Sequence, residues 1–119
     1  MGISNKLFGK PNQKSRMPAE QGVLVFFAYG SPDLSSLFNL ADRVEKIISA
    51  AGVGEYDGHE IAVDGSNGVL YMYGPDADAL FATVRPTLES ASFLKGAQVR
   101  LQYGPPGKGV RTKNILLGS

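Results

Sequence analysis

Residues 65–77 read Gly65-Ser66-Asn67-Gly68-Val69-Leu70-Tyr71-Met72-Tyr73-Gly74-Pro75-Asp76-Ala77. The first four are turn chemistry, and Val69–Tyr73 is a strand. Gly74-Pro75-Asp76 opens a helix, because proline suits the first helical turn and aspartate complements the helix dipole. An upstream stretch is built the same way: Tyr29-Gly30-Ser31-Pro32-Asp33 with Leu37-Phe38 mirrors Tyr73-Gly74-Pro75-Asp76 with Leu80-Phe81. Two strand-to-helix junctions of one design predict two βαβ halves.

Working outward, Val23–Tyr29 forms the strand before the upstream junction. Val23, Val25 and Phe27 lie on one face and Leu24, Phe26 and Ala28 on the other, so both faces are apolar and the strand is central. In the helix that follows, Ser31 is the cap and Pro32 the first helical residue. Its apolar stripe is Leu34, Leu37, Phe38, Ala41, Val44 and Ile48, and Gly52 stops it. A second strand runs from about Gly58 to Asp64, with Ile61 and Val63 on one face. The second helix carries Ala77, Leu80, Phe81, Val84 and Leu88, and Pro86 inside it should kink or shorten the last turns. Ala97–Tyr103 is a fourth strand, residues 104–109 turn the chain, and Val110–Leu117 is an optional fifth, edge strand.

The order predicts an α+β fold, a ferredoxin-like βαββαβ sandwich: an antiparallel-rich four-stranded sheet with two helices on one face. The first and third strands are expected side by side and parallel in the middle. Residues 1–19, with Gly2, Gly9, Pro11 and Pro18 and four basic side chains, read as a flexible leader. Residues 20–119 form a single domain.

Composition narrows the functional classes. The chain contains no cysteine, which removes disulfides, thiolate nucleophiles and zinc-thiolate sites. No run approaches the ~18 apolar residues of a membrane span, and no apolar run follows Lys6 to make a secretory signal. A cytoplasmic setting is expected. The net charge of +1 hides an uneven layout. Residues 1–16 and 96–119 each hold four basic residues and no acid, whereas residues 17–95 hold all eleven acids against four bases. An acidic body argues against nucleic acid as partner, since phosphate binding needs a coherent basic face.

The sheet face away from the helices is the most informative surface. Leu70 and Met72 suit the helix side, leaving Val69, Tyr71 and Tyr73 outward. Val99 and Leu101 likewise point inward, and Gln98, Arg100 and Gln102 outward. The first strand is expected to add an apolar row that includes Phe27. Phe27, Tyr71, Tyr73 and Arg100 are therefore the interface candidates, and the expected partner is a second copy or another protein on this open face.

Two alternatives come from the same stretch of chain. Glu55, Asp57 and His59 alternate, so on a regular strand all three share a face, and Asp33 and Asp76 are expected at one sheet end. Such a carboxylate–imidazole cluster suits a divalent metal or acid–base chemistry. A single-stranded nucleic-acid binder would stack bases on Tyr71 and Tyr73. Asn67–Tyr73, however, matches the third-strand motif of RNA-recognition domains only at Gly68 and Tyr71. No cofactor motif is present: Gly52-Val53-Gly54 follows a helix, and Gly107-Lys108-Gly109 lacks the spacing and the Ser/Thr of a phosphate loop. No catalytic triad is visible around the single histidine.

The run Gly54-Glu55-Tyr56-Asp57-Gly58-His59-Glu60-Ile61, followed by Leu70-Tyr71-Met72-Tyr73-Gly74-Pro75-Asp76-Ala77, resembles a family of small bacterial proteins with no assigned activity. The similarity spans about residues 22–103. It implies a bacterial cytosolic domain and brings no catalytic residues. The function expected from the residues is therefore a non-enzymatic interaction module.

Overall fold

A computed structural model describes residues 20–105 and 109–118. The leader expected for residues 1–19, and Lys108 in the glycine-rich turn, lie outside them. The elements run β1 (Gln21–Ala28), α1 (Ser35–Ala51), β2 (Glu55–Ile61), β3 (Asn67–Gly74), α2 (Ala77–Glu89), β4 (Gln98–Gln102) and β5 (Thr112–Leu116), with a 3-10 turn at Ser92–Leu94. The architecture is α+β: two helices on a five-stranded antiparallel sheet of order β2-β3-β1-β4-β5.

β1 is the central strand, as its two apolar faces predict. Val23 sits between Met72 and Leu101, and Val25 between Leu70 and Val99. All six are buried, and they form the sheet's half of the core. The helices supply Leu37, Leu40, Val44 and Ile48 from α1 and Ala77, Leu80, Val84 and Leu88 from α2. Full burial of each large aliphatic side chain contributes about 1.5–3 kcal/mol, so this one cluster holds sheet and helices together. α2 lies across β1, β3 and β4, while α1 packs on α2 and β2.

β1 and β3 are antiparallel, not parallel as expected. The reason is topological. The crossover through α1 makes β2 run with β1, and the hairpin then reverses the chain into the gap between them. One consequence is that α1 and α2 start at opposite ends of the sheet, so Asp33 and Asp76 are not neighbours.

The two junctions also differ in detail. Asp76 caps α2, its carboxylate accepting from Ala79 N–H at 3.1 Å. At α1 the side chains fold locally instead: Ser31 Oγ accepts from Asp33 N–H, and Asp33 Oδ1 accepts from Ser35 N–H. These turns delay the helix to Ser35, with Leu34 as a cap that makes no side-chain bond. Gly52 ends α1 in the left-handed region at φ 67°, donating to the Ile48 and Ser49 carbonyls. Leu40 takes the stripe position expected of Phe38, which is 53% exposed. α2 runs through Pro86 to Glu89. Val63 stands fully exposed in the β2–β3 turn rather than in a strand.

Candidate interaction surface

The strand registers lay out the face opposite the helices row by row. One row runs Glu55–Tyr73–Gly22–Gln102–Thr112 and the next Gly58–Tyr71–Leu24–Arg100–Asn114. The third runs Glu60–Val69–Phe26–Gln98–Leu116. The centre is Leu24, Phe26, Val69, Tyr71 and Tyr73, all half-buried among themselves. The margins are polar, apart from Leu116, which is exposed on β5. Among the described residues no helix packs over these rows.

Each aromatic on this face is held in place. The Tyr73 ring lies across the backbone of Gly22, where an added Cβ would meet two ring carbons at 3.1 and 3.2 Å. Glycine is needed there so that the ring can lie flat on the central strand. The Tyr71 hydroxyl donates to Glu60 Oε1 at 2.8 Å. Burial, that bond and the nearby Glu60 charge push its pKa up to about 12. The Arg100 guanidinium stacks 5.2 Å from the centre of the Phe26 ring. Among the described residues Arg100 makes no ion pair, and it is the one basic side chain in the three rows.

Tyr71, Tyr73 and Arg100 thus occupy the face assigned to them. Phe27 does not. It is 4% exposed and belongs to the core beneath the helices, in aromatic contact with Tyr29 and Phe93. Alternation along β1 places Phe26 and Leu24 on the open face instead. Glu60, Leu24 and Phe26 are the members that sequence reasoning left out.

The Glu55–Asp57–His59 cluster does not form. The register of β2 slips between Tyr56 and Gly58, making Asp57 the extra residue of a bulge, and Gly58 supplies the positive φ of 109°. Beyond the bulge the parity inverts. Glu55 lies opposite Tyr73 on the open face, whereas His59 lies opposite Leu70 on the helix face. There Tyr56 Oη and His59 Nδ1 are 2.6 Å apart, and the Phe38 ring stands 5.8 Å from the imidazole. Burial holds the His59 pKa below its ordinary value and raises that of Tyr56, which the Glu45 charge raises further. Among the described residues no group of three or more histidine, aspartate or glutamate side chains is placed to hold a metal ion. As for nucleic acid, Arg100 alone faces the acids Glu55 and Glu60 across the rows, which is poor complementarity to phosphates.

No family model, curated protein or solved structure matches the chain. No helix among the described residues is long and apolar enough to cross a membrane.

Proposed function

We propose that this chain is a protein-interaction module that self-associates through its open sheet face. In this reading the fold is a ferredoxin-like βαββαβ sandwich extended by β5, which widens the face beyond four strands. The observation behind it is the layout of the three rows: an aromatic and aliphatic centre inside a polar margin. That is the anatomy of an interface, a desolvated core with a wet rim. Tyr73 over Gly22 and the Tyr71–Glu60 bond keep the centre ordered before any contact forms, which lowers the entropy cost of association. The reading keeps the bacterial cytoplasmic setting that the resemblance implies.

Size exclusion with light scattering over a wide concentration range tests it. The expected wild-type mass is twice that of the 12.7 kDa chain. Tyr71→Glu places a charge at the centre of the face and should give the monomer mass with an unchanged far-ultraviolet spectrum. A wild-type protein that stays monomeric throughout would remove the proposal.

A further inference from the structure

The charges on the open face are arranged by side. Glu55 and Glu60 stand on β2 at one margin, and Arg100 stands on β4 across the central strand. Two copies packed face to face with aligned strands are related by a two-fold axis lying in the interface. That axis runs either along β1 or across it.

An axis across the strands sets β4 on β4. Arg100 is in the middle row, so it would meet Arg100 of the second copy, while acid-bearing β2 would meet β2. Like charges facing each other in a desolvated contact cost several kcal/mol. An axis along β1 exchanges the sides. Leu24 then meets Leu24, and Arg100 comes over Tyr71 of the second copy, with the Glu60 carboxylate that Tyr71 already binds beside it. The guanidinium gains an aromatic face and an opposite charge at once.

We infer that the occupant of the open face is a second copy related by a two-fold axis along β1, with Arg100 of each copy paired to the Tyr71–Glu60 unit of the other. This rests on the self-association reading. Five strands about 4.8 Å apart and some six residues of about 3.4 Å rise give a footprint on the order of 500 Å² per copy. Both copies together bury on the order of 1,000 Å², the lower end for a specific interface. At that size two symmetric charged contacts decide whether the dimer persists.

The test is a charge exchange followed by sedimentation velocity. Arg100→Glu and Glu60→Lys should each weaken the dimer at least ~10-fold, because each creates two like-charge contacts. An equimolar mixture of the two variants should recover dimer to within ~3-fold of wild type, since every contact is then a Glu–Lys or Arg–Glu pair. Recovery also reports that both variants are folded. Dimers of undiminished strength in either single variant would overturn the inference. So would a mixture that stays monomeric, or a Glu60→Lys dimer stronger than wild type, the signature of the axis across the strands, where the change relieves the meeting of β2 with β2. A monomeric wild type removes the self-association reading itself. A dimeric wild type without recovery in the mixture removes only the axis.

Discussion

Leu24 and Val25 are consecutive residues of the same central strand, yet they serve opposite faces of one sheet. Val25, between Leu70 and Val99, lies on the face that α2 crosses and is inaccessible to solvent. Leu24, between Tyr71 and Arg100, is half-buried by its own row and has no helix above it among the described residues. The helix face is satisfied by the chain itself. The open face is also apolar at its centre, and among the described residues no helix covers it. If the proposed self-association holds, stability resides on one side of β1 and association on the other, and substitutions on the two sides should separate those properties.

The largest separation is expected from two leucines. Leu70→Ala empties a site closed on all sides, and a cavity of that kind costs about 3 kcal/mol in a urea melt. Leu24→Ala, read at concentrations too low for association, should cost about 1 kcal/mol, because water already reaches part of the side chain. Its larger effect should be on the dimer. If both leucines lower the melt equally and leave the mass unchanged, the two faces are not distinct.

A sharper test uses two glycines that each lie under an aromatic ring. At Gly68 an added Cβ would meet the Phe27 ring at 2.8 Å, Ile61 Cδ1 at 2.6 Å and, decisively, the Glu60 carbonyl oxygen at 2.7 Å. Backbone cannot step aside as a side-chain tip can, and the site is closed by the core. Gly68→Ala should cost about 2 kcal/mol. At Gly22 the obstacle is the Tyr73 ring at 3.1 Å, a side chain rather than backbone, on the face that no helix covers among the described residues. Gly22→Ala should cost under about 1 kcal/mol in the monomer, and the displaced ring should weaken association measurably. Equal losses of stability would mean that the open face is packed as tightly as the core.

How far the residues announced this division varies with their contrast. In β4 polar and apolar side chains alternate, and in β3 Leu70 and Met72 alternate with tyrosines, so the inward Leu70, Met72, Val99 and Leu101 follow from period two. In β1 both parities are apolar, and nothing in Val-Leu-Val-Phe-Phe-Ala says whether Phe26 or Phe27 faces out. Pairing decides it. The fate of His59 was hidden in a different way, because a single bulge at Asp57 reverses every later side chain, and only the glycine at 58 hints at it. The two junctions share their letters but not their geometry. Ser31 and Asp33 satisfy each other's neighbourhood before a helix can begin, whereas Asp76 is left to cap one.

The smallest effect expected is a pH dependence that belongs to the helix face alone. Burial against Phe38 and Tyr56 lowers the His59 pKa, so the unfolded chain takes up this proton at a higher pH than the folded one. The sign follows from linkage. The stability associated with neutral His59 is complete above the unfolded value of 6.5. It declines as the pH falls below that value and stops declining once the folded imidazole is also protonated. His59→Gln should remove this slope, seen as a smaller difference between urea midpoints at pH 7.5 and pH 5 than wild type shows. On the open face the Tyr71 hydroxyl, pushed up to about 12, stays protonated throughout that window. An unchanged slope in His59→Gln would mean that the imidazole is as well hydrated as one in the unfolded chain. The bulge would then have turned it away from the core rather than into it.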